Sequence, residues 1–447
     1  FGNILYSLGV GGLQNWARNT LNSDIYSAGF RGAWYKKKHN LQWGVDYKRE
    51  VIQDKINQWD RLDSAGHSLP YNYTTNGIPY LVDSNNYFLS DKSDIGFQDT
   101  LFSKFNLKSN RISGFIQDTW RFGDTSKFSL TYGARFSYWD VNKEFIVTPR
   151  VQFSYKPKTK ADIVLTAAVG TYYQPPFYRE MRALDGSVNT SLRSQKSFHS
   201  VVGLNYAFKA WKRNFSFTTE AYYKYLWDIV PYEYDDVLIR YFGTNSAKGY
   251  AAGIDLRLNG ELVEGLESWI SMSVMKTAQD IIGDQQIQYF DSSGTQVAST
   301  ANYAKTDTLS PGYFPRPTDQ RVSFALYFQD YIPKFKFIKV HVSMVFATGL
   351  PFGPPGNDLY KDVLRLPPYR RVDIGFSGQL WNPIWAKQKN RFNQGLKGVW
   401  LSLEVFNIFG ITNTVSYLWV SDINNTQYAV PNYLTSRRIN AKVMVNF

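Results

Sequence analysis

No cysteine occurs among the 447 residues, so no disulfide holds the chain together, which fits an exported protein that relies on its sheet. Histidine is almost as scarce. His39, His67, His199 and His341 are the full set, and none stands beside a carboxylate or another histidine at metal-ligand spacing, so no metal site is expected. No stretch of about 18 apolar residues exists, which excludes a transmembrane helix by length. The chain also lacks a G-x-S-x-G elbow, a P-loop and an H-E-x-x-H pair, and acidic pairs such as Asp235-Asp236 fall in expected loops. An enzyme is therefore not expected, and no cofactor is implied. No repeat of about 40–50 residues recurs, which argues against a soluble propeller. The first residue is Phe1, with no basic-then-apolar leader after it, so the expectation is an interior cut with any signal peptide outside these residues.

Aromatic residues are what the chain has in abundance: 13 Trp, 32 Tyr and 31 Phe make 17% of it, yet mean hydropathy is only -0.36. A soluble core rarely combines the two. A membrane β-barrel does, because aromatic girdles mark both interfaces while lumen and loops stay polar. Lipid-exposed backbone must satisfy its own hydrogen bonds, and without helices only a closed barrel does so. The net charge of +13 is spread along the chain, with short clusters at Tyr35-Lys36-Lys37-Lys38-His39 and Lys156-Pro157-Lys158-Thr159-Lys160, both at expected turns. That dispersal argues against nucleic acid and for an anionic lipid headgroup layer as partner.

The chain ends on a strand pattern. Ile439, Ala441, Val443, Val445 and Phe447 form one face of the last nine residues and Asn440, Lys442, Met444 and Asn446 the other. A terminal aromatic on such a strand is the habit of outer-membrane barrels, and Val443, Val445 and Phe447 are the expected signal to the barrel-assembly machinery. The same alternation places Phe128, Leu130, Phe217, Ile254, Val322, Phe324, Ile374, Leu401, Leu403 and Val443 on a lipid face.

About sixteen strands are expected, at 1–10, 24–36, 39–51, 111–122, 126–140, 146–155, 161–173, 196–209, 214–228, 248–260, 265–279, 317–330, 336–348, 368–382, 397–409 and 435–447. Long connections (11–23, 52–110, 174–195, 229–247, 280–316, 349–367, 410–434) alternate with short ones, as external loops alternate with periplasmic turns. Two connections break this alternation, the short external 141–145 and the long periplasmic 383–396. The inward face then carries Arg135, Glu220, Asp255, Arg257, Arg321, Lys339, Asp373, Glu404 and Lys442, charges that must be paired or wet. Tyr71, Tyr73, Tyr80, Tyr87, Phe88, Tyr289, Phe290 and Tyr303 lie in the long loops and suit stacking on a ligand.

Several stretches carry a family likeness. Gly114-Phe115-Ile116-Gln117-Asp118-Thr119-Trp120, Leu130 to Phe136, Thr148 to Tyr155, and Gly170 to Glu180 with Gln174-Pro175-Pro176-Phe177-Tyr178 come first. Gly249 to Leu256, Glu404 to Phe409 and the terminal strand follow in the same order. Over residues 114–447 the chain resembles the barrel of TonB-dependent outer-membrane receptors, specifically a Bacteroidota-type branch. The resemblance implies a twenty-two-stranded barrel with an amino-terminal plug, so that 1–447 would be a barrel portion lacking the plug and about six strands. It also implies uptake of a scarce ligand, driven through the plug by TonB and an inner-membrane complex, with lipopolysaccharide around the barrel and a surface lipoprotein as a further partner. The glycan-importing branch has a tail pattern that this chain lacks, which counts against that lipoprotein. Mixed charges on the inner face would then grip the plug. Two other readings stay open: a passive sixteen-stranded porin, and a non-transporting barrel acting as scaffold in a surface or secretion complex.

Overall fold

A computed structural model describes residues 12–63, 99–123, 127–235, 237–297, 303–332, 335–354, 358–381, 396–421 and 427–447. One antiparallel sheet dominates. Among the described residues it holds seventeen strand segments. Gly12–Ala17 and Thr20–Lys36 both lie along His39–Asp63 and count as one, and Phe314–Pro315 is a two-residue ladder end, which leaves fifteen long strands.

Each strand pairs with the next along the chain, from Thr20–Lys36 on His39–Asp63 through to Gly398–Phe406 on Arg438–Asn446. Period-2 side-chain placement converts this register directly into two faces. Phe217, Leu258, Ile270, Leu326, Met344 and Val372 form one row of Cα partners across six strands. Glu220, Asp255, Ser273 and Ser323 form a row on the opposite face. All ten residues expected toward lipid share the first face. Near the short-turn end that face carries paired rings: Trp120 and Phe122 tilted at 4.6 Å, and Phe128 with Tyr155 at 4.9 Å and Tyr206 with Phe208 at 5.0 Å stacked. This is the interfacial aromatic belt of a membrane barrel. No helix among the described residues is long and apolar enough to cross a membrane, and this says nothing of a barrel.

Several expected boundaries are corrected. Of the supposed loop 11–23, residues 12–17 and 20–23 are strand. The described ends of the supposed loop 52–110, residues 52–63 and 99–110, are strand as well, because the ladder between His39–Asp63 and Asp99–Phe122 runs without interruption from His39↔Trp120 to Asp60↔Asp99. Above the lipid both faces of a strand meet water or protein, so the apolar alternation fades although the ladder continues. Ile52, Phe105 and Leu107 then stand on the inner face, where the pattern requires polar residues. The segment expected at 317–330 begins instead at Val322, since 317–321 turn inward around Asp319. The remaining long loops carry small ladders of their own, at Tyr232–Asp235 with Leu238–Tyr241, Gln286–Phe290 with Lys305–Leu309, and Thr414–Ser421 with Gln427–Tyr433. The expected strand 1–10, residues 383–395 of the 383–396 connection, and Tyr71, Tyr73, Tyr80, Tyr87 and Phe88 lie outside the described residues.

Candidate functional site

The core of the molecule sits at the long-loop end, inside the sheet. Residues 175–194, between the strands Asp162–Gln174 and Gln195–Ala210, fold inward rather than away from the wall. Met181 and Leu192 are fully buried there, packed with Tyr178 and Val230 against Ile52, Phe105, Leu107 and Trp139 of the wall. A buried ion pair fixes the segment: Arg182 Nη1 lies 2.9 Å from Asp54 Oδ2, and Arg182 Nε donates to Ser103 Oγ at 3.1 Å. Ser103 Oγ donates in turn to the Gly186 carbonyl at 2.7 Å. Gly186 has φ +83°, and a Cβ there would meet Leu101 Cδ1 at 2.9 Å, so this turn admits only glycine against the wall.

Polar groups complete the attachment. Glu144 Oε2 accepts from both the Ser194 amide at 2.8 Å and its hydroxyl at 2.6 Å. Asn142 Nδ2 donates to the Leu192 carbonyl at 2.9 Å, and Asn189 Nδ2 to that of Gly243 at 2.9 Å. Glu180 accepts from the Phe177 amide at 2.9 Å and Gln195 Nε2 at 3.0 Å, and burial still holds its carboxyl above the ordinary carboxylate range.

A second cluster adjoins the first. Asp319 is wholly buried, accepts from Arg321 Nε at 2.7 Å and from Arg365, and receives the Thr277 amide at 2.8 Å. Beside it a pocket opens between Tyr234, Phe314, Pro317, Phe352 and Leu359, with Glu233, Gln279 and Asp362 as its polar lining. Gln279 Nε2, Asp362 Oδ1 and the nearby Arg316 Nε are buried without a partner in the structure. Burial first, and then the Glu233 carboxylate, push the Asp362 carboxyl up to about 6. The pocket can therefore hold a polar group that donates to Asp362 and accepts from Gln279.

The charges expected on the inner face lie, by register, on the face opposite Phe217 and Leu258, and they do not converge. Arg135 stands over the Phe115 ring at 5.8 Å. Glu220 is the register neighbour of Asp255, which accepts from Ser273 Oγ at 2.5 Å. Arg257 donates to Asn259 at 2.8 Å, Asp373 accepts from Arg371 Nε at 2.7 Å, and Glu404 accepts from Asn440 Nδ2 at 3.1 Å. Lys339 lies 5.3 Å from the Trp400 ring, and Lys442 opposes Ser402. Arg321 belongs instead to the Asp319 cluster at the mouth. Tyr289 and Phe290 are half-buried in the Gln286–Phe290 ladder, with Tyr289 against Tyr303 at 4.8 Å. Val443 and Val445 lie on the face of the Arg438–Asn446 strand that holds Leu401 and Val399, and Phe447 follows at 76% exposure. Arg182, Asp54, Asp319 and Arg365 were not among the expected site residues, whereas Arg321 was. The Gln174-Pro175-Pro176-Phe177-Tyr178 run and Glu180 were the signal for the Arg182–Asp54 pair, since paired prolines end a strand abruptly.

The family model described as TonB dependent receptor-like, beta-barrel matches residues 3–408. The chain belongs to the TonB-dependent receptor β-barrel family. Three solved relatives show the same fold. The ferric yersiniabactin uptake receptor FyuA from Yersinia pestis has TM-score 0.57 at 14% identity, with 98% of this chain and 56% of that one covered. The copper transporter OprC has TM-score 0.56 at 13% identity, covering 96% and 57%. The outer membrane transporter YddB from Escherichia coli has TM-score 0.55 at 13% identity, covering 95% and 54%. This receptor barrel thus spans little more than half the length of those relatives. No curated protein matches it. It is a β-barrel protein of the outer membrane, and its family and these neighbours are receptors and transporters.

Proposed function

We propose that the chain is the wall and mouth of an outer-membrane importer that takes up a scarce ligand through a plugged barrel, with energy from TonB and an inner-membrane complex. The observation that carries this reading is the mouth itself. A receptor must hold its ligand before transport, and segment 175–194 with the Asp319 cluster gives a rigid, inward-folded floor instead of open loops. The wet, mixed-sign inner wall supports contact with a plug through ion pairs and water. The motifs between residues 114 and 447 support a Bacteroidota-type branch under this proposal. Two neighbours are named for copper and for a ferric siderophore, so a scarce metal or its chelate is the first ligand class to test.

The test uses cells carrying the full-length protein. A deletion strain, a TonB-deletion strain and a complemented strain are grown across media limited in single metals, with chelates, peptides or glycans as alternative supplies. A defect under one limitation, shared by both deletions and repaired by the gene, is the expected outcome. A solute permeability that persists without TonB would establish the porin instead. Copurification of stoichiometric surface partners without any uptake defect would establish the scaffold.

A further inference from the structure

On the lipid face Asp118 is a carboxylate set deeper from the turn than Lys36 of the same face. Trp34, Leu41, Asp118, Tyr132 and Val151 form a row of Cα partners across five strands, so Asp118 projects toward the bilayer with its apolar neighbours. A carboxylate at such a position requires partners. It has two: His39 Nδ1 at 2.6 Å and Tyr132 Oη at 3.1 Å, both on Oδ2. Asp118 is only 8% exposed, and its Oδ1 is buried with no partner in the structure.

Around it the face is hollow rather than flat. A groove of about 540 Å³ is lined by Trp34, Leu41, Ile116, Ala134 and Val151, with Asp118 and Tyr132 at one end. Ala134 keeps the groove floor low where a larger side chain would fill it. The next row toward the turn is Lys36, His39, Trp120 and Leu130. His39 stacks on Trp120 with ring centroids 5.9 Å apart. Its Nδ1 is hydrogen-bonded to Asp118 Oδ2.

The turn closing the same hairpin supplies Lys37 and Lys38, both exposed. Lys37 sits at φ +52°, backbone that glycine or asparagine adopts with less strain. Three exposed lysines therefore stand on the turn side of an apolar groove whose lining includes His39 and Asp118. Asp118 is three residues into the sheet from Lys38 by register, roughly 10 Å along the strand, the depth of the headgroup boundary at the short-turn interface.

We propose that this groove is a specific site for phosphatidylglycerol of the periplasmic leaflet. One acyl chain lies along Ile116, Ala134 and Val151. The phosphate meets Lys36, Lys37 and Lys38 at the turn. Phosphatidylethanolamine offers the phosphate and chain but carries no net negative charge, which is the basis of discrimination. The inference rests on the barrel's place in the outer membrane and not on what the barrel transports.

The test is native mass spectrometry of the full-length protein from mild detergent, after equilibration with equal phosphatidylglycerol and phosphatidylethanolamine. The wild type should retain one phosphatidylglycerol in preference. Each lysine near an anionic surface is worth roughly fivefold in retention, so Lys36→Gln, Lys37→Gln and Lys38→Gln together should abolish the preference. Ala134→Phe, which fills the groove and leaves the charges intact, should also release the lipid. Heat-modifiable mobility confirms that each variant is folded, and on the wild type alone rising salt should selectively lower phosphatidylglycerol retention. Equal retention of both lipids by the wild type, or undiminished preference in the folded variants, would overturn the proposal.

Discussion

At the scale of single residues, the Arg182–Asp54 pair does most to define the mouth. Both side chains are buried, so removing one partner leaves an uncompensated charge, which costs about 3–5 kcal/mol. Arg182→Ala should therefore release segment 175–194 while the strands stay folded, seen as fast hydrogen exchange confined to that segment. The double variant Arg182→Met with Asp54→Leu replaces the pair by apolar volume and should restore protection. If the single variant exchanges like the wild type, the pair does not hold the segment. Such a pair is invisible in sequence, because Asp54 and Arg182 are 128 positions apart and each alone reads as a solvated charge. Glu180 was quoted within a family motif, but its burial follows from the inward fold and not from its neighbours in sequence.

At the scale of elements, the mouth pocket joins the Tyr232–Asp235 hairpin to the segment around Leu359–Lys361. The Asp362 carboxyl is raised to about 6 by burial and by Glu233, so the folded protein holds that proton more tightly than the unfolded chain. A raised acid stabilises where it stays protonated: its contribution is complete below the ordinary aspartate range and is lost as pH rises through about 6. Proteolysis within 349–367 should thus be slower at pH 5 than at pH 7.5, and Asp362→Asn should remove the difference. An unchanged pH dependence in that variant would assign the effect to another group. The strands themselves were legible wherever lipid imposes alternation: Phe128 to Phe136 and Phe215 to Tyr223 were read correctly from period 2 alone. The upper parts of His39–Asp63 and Asp99–Phe122 were not, since outside the bilayer the ladder is held by backbone bonds and by the packing of Ile52 and Leu107 on a distant segment.

At the scale of the whole molecule, the sheet has two edges. Among the described residues Thr20–Lys36 pairs only with His39–Asp63, and Arg438–Asn446 only with Gly398–Phe406. An open edge in lipid leaves backbone groups unsatisfied, so we propose that further strands of the full-length protein pair with both. Cysteines at Ala28 and Ala441 in that protein should then fail to cross-link, because a disulfide needs Cα atoms within about 7 Å. Efficient cross-linking would show that the sheet closes on itself. The terminal strand makes a separate expectation. Phe447→Asp should deplete heat-modifiable barrel from outer-membrane fractions and Phe447→Leu should not, whereas normal levels of the Asp variant would reduce Phe447 to a girdle aromatic worth roughly 1–3 kcal/mol. Finally, His39–Asp63 is 25 residues long where about 9–11 suffice to span the bilayer. At 3.3 Å per residue and a tilt near 40° it rises roughly 60 Å, so more than half of its height stands clear of the apolar band. The receptor is in that sense a chimney, whose hydrogen-bonded collar stands out into the saccharide layer within reach of antibodies and phage tail fibres too bulky to touch the membrane.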